Sequence, residues 1–89
     1  MHAVVVSVEI QDQEEGRKLL HEQVVPRVKQ APGFVAAYWV QLATDRGTSL
    51  LVFEGEDAAN GAAEMIRGQP AGGPVRLVDV QVGEVVANA

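Results

Sequence analysis

The chain has 89 residues, 47% of them hydrophobic, no cysteine and a formal net charge of −5 at pH 7. That length holds one small domain without room for a second core, and the apolar share is too high for a disordered chain. Lack of cysteine excludes a disulfide framework and thiolate metal sites, and seven scattered basic residues against twelve acidic ones argue against a nucleic-acid surface.

Val4, Val6, Val8 and Ile10 alternate with Ala3, Val5, Ser7 and Glu9, which predicts a first strand. The apolar run Val4–Val8 is far too short to span a membrane, and no basic segment of the kind that opens a signal peptide precedes it, so a cytoplasmic protein without membrane contact is expected. Asp12 offers a side-chain oxygen to free helical N–H groups, with Glu15 three residues on in capping-box spacing. The helix that follows places Leu20, Val24, Val28 and Ala31 along one stripe. Pro26 interrupts it by removing a donor and crowding the preceding turn, so a kink or short break is expected there. Pro32-Gly33 ends the helix, with Gly33 free to adopt positive φ where the chain reverses into a strand.

That second strand runs from Phe34 to about Leu42 and carries the chain's single Tyr and single Trp side by side, as Tyr38 and Trp39. Thr44-Asp45-Arg46-Gly47 has turn chemistry and Thr48–Glu54 reads as the return strand of a hairpin. Glu56 and Asp57 suit the start of a second helix and Arg67 its end, with Ala59, Ala62, Ala63 and Ile66 as a small-residue stripe able to sit close to a sheet. Gly68–Pro74 reads as a loop, and Val75 to about Val86 as a last strand with a bulge or bend at Gly83.

The order β-α-β-β-α-β is that of a ferredoxin-like α+β fold. Both crossovers, being right-handed, put the two helices on one face of a four-stranded antiparallel sheet. Alternation assigns Phe34, Ala36, Tyr38, Val40 and Leu42 to one side of the second strand, and Val35, Ala37, Trp39 and Gln41 to the other. Leu50 and Val52 likewise oppose Leu51 and Phe53. Both faces are therefore substantially apolar, where a sheet with one wet face alternates apolar with polar. A second copy of the sheet, packed about 10 Å away, is the simplest cover for the face without helices. A homodimer is expected, with one of Tyr38 and Trp39 against the core and the other toward the partner.

The element order, the Val25-Pro26-Arg27 step, Pro32-Gly33-Phe34 opening the second strand and the aromatic strand before a hairpin resemble the dimeric α+β-barrel superfamily, in its antibiotic-biosynthesis-monooxygenase-like branch. The resemblance covers nearly the whole chain. It implies a homodimer whose two sheets form a barrel, with a pocket between helices and sheet in each subunit. It also implies kinship with cofactor-independent monooxygenases of polyketide quinones, haem-degrading enzymes and proteins without assigned activity. The haem-degrading pattern, an Asn on the first strand, a Trp on the third and a His on the second helix, is absent at all three places, and His21 sits on the first helix instead. Trp39, Tyr38, Asn60 and Arg46 match the residue types that hold substrate in the quinone enzymes, without a diagnostic spacing to link them.

Three residues remain as ligand-binding candidates, each with a plainer reading beside it. Trp39 could stack on a planar ligand, and packing in the core or an interface is the favoured reading. Tyr38 points away from Trp39, so the two rings cannot clamp one ligand within a subunit. His21 lies beside the helical stripe, and a solvated boundary position is favoured over a catalytic base. His2 reads as a terminal residue. Glu9 shares a face with Val5 and is expected in water near the sheet end, or paired with Arg76 if buried. Gly72-Gly73 lacks the strand-to-helix setting of a phosphate cradle. The expected function is a small homodimeric α+β barrel that binds a small apolar or aromatic ligand or serves only as an assembly module, with no cofactor, no metal and no catalysis assigned to it. The alternative is a cofactor-independent monooxygenase acting on a planar aromatic or quinone.

Overall fold

The structure, a computed structural model, describes residues 1–68 and 73–89; residues 69–72, and with them Gly72 of the expected loop, lie outside that description. The elements follow the expected order. Strand β1 (His2–Ile10) leads into a helical segment made of α1 (Gln13–Leu19), a π-helical turn (Leu20–Val24) and α2 (Val25–Lys29). The hairpin β2 (Phe34–Ala43) and β3 (Arg46–Phe53), helix α3 (Glu56–Arg67) and strand β4 (Val75–Glu84) complete the chain. The sheet order is β2-β3-β1-β4, and every neighbouring pair is antiparallel, in keeping with a ferredoxin-like βαββαβ fold.

Local chemistry accounts for the helix boundaries. Asp12 caps α1, its carboxylate accepting a hydrogen bond from the Glu15 N–H at 3.1 Å. Pro26 acts on the turn before it. The Val25 N–H donates to the carbonyl of Leu20, five residues back, and this widened turn makes room for a ring that would otherwise meet a carbonyl in a regular α-helix. The expected break at Pro26 is thus a π turn in an unbroken helical segment. Helix α3 starts at Gly55 without a side-chain cap, and Glu56 and Asp57 compensate by placing negative charge at its positive end.

The core lies between one sheet face and the helices. Val4 and Val6 of β1, Leu51 and Phe53 of β3 and Val80 of β4 are buried there with Ala59 and Ala63 of α3. Val4, Phe53, Ala59 and Ala63 have no exposure at all. The small-residue stripe of α3 therefore lets that helix backbone approach the sheet closely. The first helical segment packs less deeply: Val28 and Ala31 touch the core, but no residue from Gln13 to Lys29 is buried. Arg17 anchors α1 to the sheet edge by donating to the Gln41 side chain at 2.6 Å, and Arg67 ties α3 to the Val80 carbonyl at 3.0 Å.

Three strand details differ from simple alternation. The register of β2 shifts between Phe34 and Ala36, so Phe34 turns to the core face and meets Phe53 edge-on, with ring centroids 6.2 Å apart. A second shift, between Gln41 and Ala43, leaves Leu42 unpaired. The irregularity of the last strand falls opposite Ser7 and Val8, where Val78 is the extra residue, and Gly83 instead pairs regularly with Ala3. Burying one more aromatic ring offsets the ladder bond lost at Val35.

Gly33 has φ of +75°, and a Cβ added there would stand 3.0 Å from the Ala58 Cβ at the start of α3. Backbone strain and a steric contact thus act at the same atom. Gly33→Val should lower stability by more than about 1 kcal/mol in urea denaturation, and a loss near zero would contradict this geometry. Asp12→Ala should cost about 1 kcal/mol in the same measurement through loss of the cap.

Candidate functional site

Cross-strand register assigns side chains to each face of the sheet. The helix-bearing face carries Val4, Val6 and Val8 of β1, Leu51 and Phe53 of β3, and Ala37 and Trp39 of β2. The other face is ordered in rows across β2, β3, β1 and β4. Ala36, Val52, Ala3 and Gly83 form the first row, and Tyr38, Leu50, Val5 and Gln81 the second. Val40, Thr48, Ser7 and Asp79 form the third, and Ala43, Arg46, Glu9 and Arg76 the fourth. Polarity thus grows along the strands, from an apolar end to a charged band.

Among the described residues, no helix lies over this second face. Tyr38 is 62% exposed, Val40 49%, Val5 42% and Leu50 40%, in adjacent positions on three strands. Such a contiguous group differs in kind from scattered surface hydrophobics. In the charged band, Arg76 Nη1 stands 3.8 Å from Glu9 Oε2, with both side chains well exposed, and Arg46 is directly opposite Glu9 on β3. A shallow depression of about 410 Å³ at this end is lined by Ser7, Glu9, Leu42, Asp45, Arg46 and Val78. A second one, of about 270 Å³, lies between the first helical segment and Pro74 and is lined chiefly by Glu15, Lys18, Leu19, Glu22 and Gln23.

The three sequence candidates stand apart. Tyr38 is on the open face; Trp39, its neighbour, is on the helix-bearing face, partly buried against the core. His21 is exposed on the π turn. Neither depression is lined by any of the three. Trp39 therefore shares the helix side of the sheet with His21, and the sheet itself separates both from Tyr38. Of the residues matched by type to the quinone enzymes, Asn60 is exposed on α3 and Arg46 is in the charged band.

His2 is more than a terminal residue. It pairs with Phe53 in the ladder, its Nε2 is 3.5 Å from Glu56 Oε2, and its Nδ1 is buried without a hydrogen-bond partner. It links the first turn of α3 to the start of β1, a role that nothing in the local sequence signals because Glu56 is 54 positions away. The charged band was only half visible: Glu9 and Arg76 suggested a pair, but Arg46 reads as a turn residue until the hairpin is seen to close at Thr44-Asp45. Among the described residues, no group of three or more His, Asp or Glu is placed to hold a metal ion. No helix among them is long and apolar enough to cross a membrane.

Compared with known proteins, the chain matches no family model, no curated protein and no solved structure. The class that the fold defines is therefore that of a small α+β domain with a four-stranded antiparallel sheet, helices on one face and an open apolar patch on the other.

Since Trp39 packs on the core, Trp39→Ala should lower unfolding free energy by about 2 kcal/mol or more, while Trp39→Phe should cost less than half as much. Trp39 is the only tryptophan, so fluorescence reports its setting directly. Emission should be blue-shifted in the native protein and move to the red on unfolding; a water-like native spectrum would contradict the placement.

Proposed function

We propose that the chain is one half of a homodimeric α+β barrel of the antibiotic-biosynthesis-monooxygenase-like kind, a non-catalytic module that takes a small apolar or aromatic ligand. The observation that carries this reading is the uncovered apolar group around Tyr38. The helices and the core beneath them lie on the other face, so the alternation of Val5, Leu50, Val52, Tyr38 and Val40 has no use within a single subunit. Closing the face against its own copy takes these side chains out of water.

Size supports the same reading. A compact monomer of 9.5 kDa has an accessible surface of about 5,000 Å². This chain exposes 6040 Å². Four strands at about 4.8 Å spacing and eight residues at about 3.3 Å rise give a footprint near 500 Å² per subunit, and a pair hides about 1,000 Å², the lower bound of a specific interface.

The ligand belongs on the helix side. Trp39 supplies a flat apolar surface there, and the first helical segment, with no buried residue of its own, is the element that moves most cheaply to admit a guest. Tyr38 serves the interface instead. The monooxygenase alternative needs an aromatic platform and a base converging on one site; Trp39 and His21 are on the same side of the sheet, but His21 is exposed on the π turn and the two line no common depression, which favours binding without catalysis.

Tyr38→Asp should dissociate the assembly in sedimentation velocity, since closing the face would bury an unpaired carboxylate on each subunit, whereas Tyr38→Phe should leave it intact. A Tyr38→Asp protein with wild-type sedimentation would overturn the interface. A thermal-shift screen of quinones, flavins and haem tests the ligand class: at least one planar apolar compound should raise the wild-type midpoint, with the rise lost in Trp39→Ala. A rise that survives in Trp39→Ala would move the ligand away from Trp39, and no rise with any compound would leave the chain an assembly module alone.

A further inference from the structure

The order of residues across the open face also fixes how two copies meet. Charge is concentrated toward one end, where Arg46 on β3, Glu9 on β1 and Arg76 on β4 give the sequence plus, minus, plus across adjacent strands, with Asp79 in the row before them on the edge strand β4. Two-fold axes lying between the sheets fall into two kinds. An axis across the strands would lay this band on the apolar row of Ala36, Val52 and Ala3, removing charged groups from water with no partner, which is strongly unfavourable. An axis along the strands keeps apolar rows on apolar rows and sets band against band.

We propose that the subunits pair about a two-fold axis running along the strands between β1 and β3, with Arg46 of each subunit meeting Glu9 of the other. The exchange of β1 with β3 under this axis makes the face complementary to itself. Leu50 meets Val5, Thr48 meets Ser7 and Arg46 meets Glu9, each contact occurring twice. Long side chains at the fourth row can span the gap of about 10 Å between packed sheets, and at the end of the interface they remain hydrated enough to avoid the full cost of burying charge. The depression lined by Glu9, Leu42, Arg46 and Val78 then becomes the mouth between subunits, walled by both. Tyr38, in the second row, lies over Gln81 of the partner and seals the apolar centre. The inference rests on the homodimer proposed above and adds its axis and its register.

Charge reversal tests the register separately from the dimer. Arg46→Glu places a second carboxylate beside Glu9 in one chain, and Glu9→Arg makes the band of the other chain wholly cationic. Each variant alone should dimerise about tenfold more weakly than wild type at low salt, with the difference shrinking as salt rises. Mixed in equal amounts, they should form mainly the heterodimer, which native mass spectrometry resolves because the variant chains differ in mass. Ion pairing within one chain, such as that of Glu9 with Arg76, cannot produce that preference, since it is the same in a homodimer and a heterodimer. Arg46→Gln and Glu9→Gln, which introduce no repulsion, serve as second variants should a reversal impair folding: each should weaken the dimer at low salt only. Wild-type dimers together with a statistical mixture of the reversed variants would overturn the axis while leaving the dimer standing. A monomeric wild type would overturn both.

Discussion

A four-stranded sheet with two helices can dry only one of its faces from within, and the rest of this molecule follows from that geometric limit. Each strand sends alternate side chains to opposite sides, so a strand apolar on both sides demands two covers. On β1 and β3 both sides are apolar: Val4, Val6, Leu51 and Phe53 look toward the helices, Val5, Leu50 and Val52 away from them. The first set makes a core with no exposure at its centre. The second set has the composition of a core and the exposure of a surface.

The helix-bearing side is itself uneven. Helix α3 lies close because its contact stripe is alanine, and Arg67 fastens its end to β4. The first helical segment, widened by a π turn before Pro26, rests on half-buried side chains and is held at its start by Arg17 on Gln41. Close packing resists deformation, while a shallow contact opens at small cost. The two helical parts thus differ, α3 packing closely on the sheet and the first segment resting on it more shallowly, on the side where Trp39 lies.

The sequence showed most of the fold and little of the site. Alternation in Val4–Ile10, the Asp12 cap, the Pro32-Gly33 stop and the alanine stripe act over a few residues, so they can be read without knowing the partners across the sheet. The bulges at Val35 and Val78 could not be read that way. Phe34 leaves the simple alternation because Phe53, nineteen positions later, offers its ring a neighbour in the core. His2 meets Glu56, and Arg46 lines up beside Glu9, only once strands distant in sequence are placed side by side. Tyr38 and Trp39 show the same limit. Adjacent positions on a strand must face opposite ways, but which way each faces depends on the register with Leu50 and Ser49.

Everything proposed for the open face depends on its being closed by a second copy of the chain. Light scattering on a size-exclusion column, run on the wild-type protein over a dilution series into the low micromolar range, tests this without any substitution. A closed face requires a species of twice the 9.5 kDa chain mass throughout. A folded monomer, with native circular dichroism and the single-chain mass at those concentrations, would contradict it.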